Sequence, residues 1–103
     1  MSYQKSAIST PNAAATVTIA AATHPRRPMT LLGVTWSYSG TPTGGRVSTV
    51  GLESGGEVDI DITTGGPGQL AFRPLRANAG LVVTLAAGGS GVVGKLSVAY
   101  ELH

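Results

Sequence analysis

The sequence predicts an all-β protein with one domain, built as a sandwich or a barrel of short strands. Short β-type runs alternate with clusters of Gly, Pro, Ser and Thr at the spacing typical of these folds. The composition disfavours helix, because the 103 residues include 15 glycines and only 12% are charged, against roughly 25% in typical globular proteins. A chain of this length fits a single hydrophobic core.

Seven runs are the predicted strands: residues 15–21, 31–39, 46–52, 57–63, 70–74, 81–87 and 92–102. Three of them alternate apolar with polar or small residues, as a half-buried strand requires. The residues on the apolar parity, expected to face the core, are Val17, Ile19, Leu32, Val34, Trp36, Tyr38, Val92, Leu96, Val98, Tyr100 and Leu102. Trp36, the only tryptophan, is therefore expected to lie between two sheets.

A cluster of acids lies in residues 55–68, GGEVDIDITTGGPG, where Glu57, Asp59 and Asp61 occupy every second position. The intervening residues are Val58, Ile60 and Ile62, so burial of the apolar set places the acids in water. A hard-cation site needs six to eight oxygens that converge on the metal, usually from a bent loop. The pattern favours a solvated face over a metal site.

The same stretch predicts a hairpin register. If residues 54–56 form a three-residue loop with a glycine in the left-handed region, Leu52 faces Val58, Val50 faces Ile60 and Ser48 faces Ile62. A shift of one residue would turn the two apolar residues of the first strand outward. The hydrophobic pattern therefore favours this register.

No catalytic, metal or cofactor site is predicted. The two histidines are His24, in a loop, and His103, the last residue, and there is no cysteine. The glycine clusters match neither a nucleophile elbow nor a phosphate-binding loop that opens a helix. Without an acid–base pair in a credible pocket, the sequence indicates a protein that is not an enzyme.

The charge and hydropathy patterns exclude some classes of binding partner. A net charge of +2 without a basic run does not indicate nucleic-acid binding. No apolar stretch approaches ~18 residues and no signal peptide is evident, so we expect no membrane span and synthesis in the cytoplasm.

One local cationic cluster, Arg26 and Arg27 between Pro25 and Pro28, would be held outward by the stiff prolines. It is either a soluble loop or a docking point for an acidic surface.

The chain also resembles a family of small virion proteins of tailed bacteriophages. The most distinctive segments are WSYSGTPTGG, TGGPGQLAFRPLR and LAAGGSGVVGKLSVAY, and the resemblance extends from Ala14 to Glu101. It implies an antiparallel β-sandwich or jelly roll of about seven to eight strands. It also implies a decoration (cement) protein on the outer capsid surface, bound to the major capsid protein or another virion protein, with no catalytic residues.

Two further expectations concern assembly. Residues 1–13 precede the first predicted strand of the 14–103 domain and carry Tyr3 and Ile8 as isolated apolar residues. We expect an extended arm that becomes ordered on a neighbouring subunit or on the shell. Self-association is expected too, with a trimer favoured over a dimer because shell subunits often meet at threefold positions.

The main alternative is a carbohydrate- or receptor-binding β-sandwich module. Sugar sites of this kind present exposed aromatic side chains, and the five aromatics are Tyr3, Trp36, Tyr38, Phe72 and Tyr100. Four of them lie at positions of the alternation that are expected to face the core. Exposure of Trp36 or Tyr38 near a strand end would keep this alternative open.

Overall fold

The computed structural model describes residues 2–20, 29–52 and 58–102, and within them every regular element is a strand. The strands are β1 Ser2–Ile8, β2 Ala15–Ala20, β3 Met29–Tyr38, β4 Gly45–Leu52, β5 Asp59–Ile62, β6 Gly68–Leu85 and β7 Gly94–Leu102. In this part of the chain there is no helix of the length and apolarity that crossing a membrane requires.

The strands form a sandwich because β6, which has 18 residues, belongs to two sheets. Its first part pairs with β3, and its second part pairs with β2 and β4. The first sheet has the order β1-β7-β3-β6, and the second has the order β2-β6-β4-β5. With the two parts of β6 counted separately, the described chain contains two antiparallel sheets of four strands each.

The path of the chain between these sheets is that of a jelly roll. Going from β1 to β7, the chain changes sheet at each step except between β4 and β5, which form a pair in the second sheet. Such double-sheet arrangements close two Greek keys on one core. The predicted all-β sandwich of about seven to eight strands is confirmed.

The core lies between the sheets and follows the predicted alternation closely. Trp36 is 9% exposed and Val98 is fully buried, so the prediction that Trp36 lies between the sheets is confirmed. The buried apolar residues are Ala15, Val17, Ile19, Met29, Leu31, Val34, Trp36, Tyr38, Val47, Leu52, Ile62, Leu81, Val83, Leu85, Leu96 and Val98.

A bulge interrupts the alternation in β3. The pairing of β3 with both neighbouring strands shifts between Leu31 and Gly33. Leu31 is fully buried as a result, whereas Leu32 is only partly buried. The expectation that Leu32 faces the core is wrong for this reason, because an extra residue in one strand reverses the parity on one side of the bulge.

The predicted register of β4 and β5 is also wrong. The structure pairs Gly45 with Ile62 and Val47 with Ile60, so Val50 does not lie opposite Ile60. A bulge lies between Val50 and Leu52, and Gly51 has a φ of 109°. Leu52 is buried while Val50 is 67% exposed. The bulge lets two residues of the same parity face opposite sides of the sheet.

Two further differences concern the ends of the predicted runs. The sequence predicted separate strands at residues 70–74 and 81–87, but β6 is continuous, because β3 pairs with it as far as Ala77 and β2 pairs with it from Gly80. β1, in the predicted arm, is a strand that the sequence pattern did not predict. Seven consecutive residue pairs join β1 to β7 of the same chain, and this pairing was not evident from a segment without clear alternation.

Tyr38 links the two sheets through its hydroxyl group. The hydroxyl donates to the Ala86 carbonyl oxygen at 2.8 Å and accepts from the Arg46 backbone N–H at 3.3 Å. Since Tyr38 lies on β3 of the first sheet and Arg46 on β4 of the second, these bonds join the layers at one end of the sandwich.

We expect Tyr38→Phe to lower the free energy of unfolding by about 1–2 kcal/mol, because it leaves two partners without a bond. Tyr100→Phe is the matched control, since its hydroxyl makes neither of these two bonds. Burial raises the pKa of Tyr38, with a smaller opposing effect of the hydrogen bond from Arg46. Because the folded-state pKa is raised, the protonated Tyr38 hydroxyl stabilises the fold. This stabilisation is fully present below about pH 10 and is lost as the pH rises through the raised pKa. Urea melts of both variants at neutral and alkaline pH test the prediction; equal melts would contradict it.

Candidate functional site

The outer side of the first sheet carries an array of small polar side chains. We call it the hydroxyl face and define it by Gln4, Ser6, Thr35, Ser37 and Ser97. These residues alternate with core residues along β1, β3 and β7, so the parity that buries the apolar residues turns them outward. The register brings them together, because Ser97 lies opposite both Ser6 and Thr35.

Hydrogen bonds fix the β1 side of this face. The Gln4 side-chain amide donates to Ser97 Oγ at 2.6 Å, and the Ser6 hydroxyl donates to the same oxygen at 3.3 Å. Both bonds are exposed to solvent. The face therefore offers hydroxyl and amide groups in a defined arrangement and carries little charge.

Two shallow grooves cross the hydroxyl face and share Thr35 and Ser97. One has a volume of about 280 Å³ and includes Ile8, Pro67 and Lys95 in its lining. The other has a volume of about 190 Å³ and includes Gln4, Gly33 and Gln69. Both are smaller than the ~300–1,000 Å³ of typical small-molecule pockets. Their shape suits contact with another surface better than enclosure of a ligand.

Ile8 borders the larger groove and is 70% exposed. It lies opposite Lys95 across the β1–β7 pair. A single exposed apolar residue is ordinary on a protein surface, but this one lies directly beside a groove that is also lined by Pro67. The edge of the hydroxyl face thus combines an apolar side chain with an apolar wall.

The acids lie on the second sheet, away from this face. Asp59 and Asp61 are exposed on β5, as predicted from their parity, whereas Glu57 lies outside the described residues. The Arg46 guanidinium binds the Asp59 carboxylate through two nitrogens. A groove of about 450 Å³ beside this ion pair includes Arg46, Asp61 and Thr63 in its lining. Among the described residues, no group of three or more possible metal ligands is found.

The ion pair changes the pKa of both partners. The hydrogen bonds from Arg46 hold the pKa of Asp59 below its ordinary value, and those bonds raise the pKa of Arg46. A carboxylate with a lowered pKa contributes stability above the unfolded-state value of about 3.9, and this contribution is lost as the pH falls through the lowered pKa. Because both side chains are about half exposed, solvent and salt screen the interaction.

We therefore expect Asp59→Asn to change stability only slightly at neutral pH. The small difference from wild type should shrink further in high salt and as the pH falls through the lowered pKa of Asp59. Asp61→Asn is the control, since Asp61 lies opposite Arg46 but acts on it through its charge, whereas the ion pair joins Arg46 to Asp59. Denaturant melts at several pH values and salt concentrations, with and without calcium, measure the effect. A large loss for Asp59→Asn, or stabilisation by calcium in wild type alone, would contradict the solvated-face interpretation.

Of the predicted partner-binding residues, the structure describes Tyr3 and Ile8, and these two do not lie together. Tyr3 is 39% exposed and stacks on Tyr100, with ring centroids 5.5 Å apart. Ile8 lies at the other end of β1 and on the opposite parity. Arg26 and Arg27 lie outside the described residues, as do His24 and His103. The structure thus separates Tyr3 from Ile8 and places Ile8 alone beside the hydroxyl face.

The hydroxyl face was not predicted from the sequence, although one signal for it was present. The polar parity of β3 and β7 was visible in the alternation, but nothing in the sequence indicated that these two strands are neighbours. Their pairing places Thr35 opposite Ser97 and so joins the outward polar residues of β3 and of β7 into one surface.

Comparison with known proteins gives similarities of fold. No family model matches the sequence, and no curated protein matches it. Among solved structures, the FLHE crystal structure is 20% identical with a TM-score of 0.42, and the match covers 98% of this chain and 96% of that chain. A CBM4 structure is 16% identical with a TM-score of 0.45 over 95% of this chain and 82% of that chain. A capsid structure of Helicobacter pylori bacteriophage KHP30 is 15% identical with a TM-score of 0.43 over 100% and 97% of the two chains. Structures similar to this chain thus include a carbohydrate-binding module and a phage capsid, and the likeness is one of overall β architecture.

Proposed function

We propose that the chain is a structural virion protein of a tailed bacteriophage, which binds the outer capsid surface as a decoration (cement) protein. Jelly rolls commonly form viral capsid and lectin domains, so the fold leaves two main classes of function. The observation that carries the proposal is the burial of Trp36 and Tyr38. Because these aromatics pack in the core, they are not available as a platform for sugar rings. Tyr3, on β1, is the exposed large aromatic of the described residues, and the structural class is favoured.

The resemblance of the sequence to small phage virion proteins supports the same choice. The segments that carry it include Trp36 on β3 and the Gly88–Gly91 turn region before β7. These segments build the sandwich, so the resemblance concerns a structural framework. The proposal includes no catalytic step and no cofactor.

The hydroxyl face is the proposed contact with the major capsid protein or another virion protein. It is broad, it carries little charge, and its grooves are shallow. A decoration protein can bind through such a surface because many weak contacts are repeated by the symmetry of the shell. Ile8 provides an apolar anchor at the edge of this contact.

Co-sedimentation with the heads of the encoding phage, prepared without this chain, tests the proposal. We expect wild type to sediment with the heads and to raise the temperature at which they open. Ile8→Asp should weaken binding at least tenfold. Val50→Asp is the matched control, because Val50 is about equally exposed, at 67% against 70%, but lies on β4 of the second sheet.

Three results would contradict the proposal in whole or in part. If wild type fails to bind heads and is absent from purified virions by mass spectrometry, the virion role is wrong. If Val50→Asp weakens binding and Ile8→Asp does not, a decoration role stands but the hydroxyl face is the wrong contact. Binding of wild type to a glycan array, weakened by Thr35→Ala, would instead favour a carbohydrate-binding module.

A further inference from the structure

We infer that the free edge of β1 pairs with β1 of a second copy of this chain, as antiparallel strands related by a twofold axis. This contact would join the first sheets of two molecules into one continuous sheet. The inference concerns the protein in solution and does not depend on its binding a capsid.

The backbone of β1 presents a regular set of hydrogen-bonding groups at this edge. The Ser9 N–H donates to the Gly94 carbonyl oxygen at 2.8 Å, which continues the β1–β7 register by one residue. In an antiparallel ladder, residues that bond to the partner alternate with residues that do not. The backbone groups of Gln4, Ser6 and Ile8 therefore point away from β7. No described strand pairs with them.

The other sheet edges in the described structure carry features that discourage pairing. The edge strand β5 has four residues, two of which are Asp59 and Asp61. The first part of β6 contains Pro74, which has no N–H to donate. At the β2 edge, the Lys5 ammonium donates to the Thr18 carbonyl oxygen at 2.8 Å. Charge, proline and covering groups are the usual protections of an edge strand.

β1 carries fewer of these protections. Its seven pairs with β7 run without a bulge, and its sequence, SYQKSAI, contains no proline. Lys5 is its single charged residue, and the bond to Thr18 directs that charge toward the second sheet. An unbroken edge of this kind is a template for another strand.

The positions of the side chains select one register. With the twofold axis at Ser6, this residue faces its own copy, Gln4 faces Ile8 of the second molecule, and Lys5 faces Ala7. A twofold axis at Lys5 would instead place two ammonium groups side by side, which is unfavourable. The Ser6-centred register also covers part of Ile8, the apolar side chain that β1 exposes most.

Pairing of two short strands buries less than the ~1,200 Å² of a standard stable interface. We therefore expect a monomer–dimer equilibrium that depends on concentration. This twofold contact differs from the trimer that the sequence suggested, because one isologous edge contact joins molecules in pairs.

Sedimentation velocity of the purified protein from about 10 μM to about 1 mM, a range chosen for weak affinities, tests the inference. We expect the dimer fraction to rise with concentration in wild type and in Ser6→Ala. Ser6→Pro should remain monomeric, because it removes an outward N–H that β7 does not use. Trp36 fluorescence checks that each variant is folded.

Cross-linking provides a second readout that does not depend on Ser6→Pro folding. The chain has no cysteine, so Ser6→Cys introduces a single thiol. In the proposed register two such residues would have Cα atoms about 5.5 Å apart, within the ~4.4–6.8 Å range of disulfides. We expect Ser6→Cys to form a disulfide dimer on mild oxidation, at least tenfold faster than Val50→Cys. Wild type that is monomeric at the highest concentration, a trimer, or equal cross-linking of the two cysteine variants would overturn the inference.

Discussion

Trp36→Ala should lower the free energy of unfolding by about 3–5 kcal/mol, as large-to-small substitutions of buried aromatics do. Trp36 is 9% exposed and belongs to the core cluster with Val34 and Tyr38. Its ring also packs against Gly68, where an added Cβ would lie 2.4 Å from ring atom Cε2. Little space is therefore available around the ring, and its removal leaves a cavity between the sheets. For a domain with about 5–15 kcal/mol of stability, this is a large loss.

Urea denaturation followed by circular dichroism measures the effect, since the variant lacks the fluorescent residue. Asp59→Asn serves as the control for a substitution on an exposed face, and its melt should stay close to that of wild type. A loss below ~1 kcal/mol for Trp36→Ala would show that the ring contributes little to the core, contrary to its burial.

Gly51→Ala should also be strongly destabilising, by about 3 kcal/mol or more. Gly51 has a φ of 109°, where side chains other than hydrogen are strained at a cost of about 1–3 kcal/mol. In addition, an added Cβ would lie 2.2 Å from the Gly80 carbonyl oxygen. This neighbour is backbone of the paired strand β6, so relief requires movement of the strand and adds the cost of overpacking.

Substitutions at two other glycines distinguish the cost of the backbone strain from the cost of the contact with β6. Gly44 has a φ of 74° but no atom within 4 Å of an added Cβ, so Gly44→Ala should show the backbone cost alone, about 1–2 kcal/mol. Gly66 has neither feature, so Gly66→Ala should be nearly neutral. Urea melts of the three variants should therefore rank Gly51, Gly44 and Gly66 in order of decreasing loss. Equal losses for the first two would mean that the contact with β6 costs nothing.

The candidate site was predictable only in part, and its residues show why. Ile8 was identified because an isolated apolar residue in a polar segment is visible in the sequence, and the structure places it beside the hydroxyl face. Ser97 and Thr35 were not identified, because each is an ordinary polar residue in its own strand. Their adjacency results from the pairing of β3 with β7, a contact between residues far apart in the chain.

The sequence by itself determined the fold class and most of the inward-facing residues. An alternation with a period of two residues is a local property, so Val17, Trp36 and Val98 could be assigned to the core without knowledge of their neighbours. The exposure of Asp59 and Asp61 followed from the same period.

Only the tertiary structure decided the sheet order, the continuity of β6, the pairing of β1 and the register of β4 with β5. The Gly51 bulge turns Val50 outward and Leu52 inward, which no strict alternation predicts. β1 is a strand because β7 offers it seven residue pairs, although its own sequence lacks a strand pattern. Strand pairing joins distant segments through backbone groups that every residue carries, so local sequence specifies which face is buried but leaves the identity of the neighbouring strand to the packing of the whole chain.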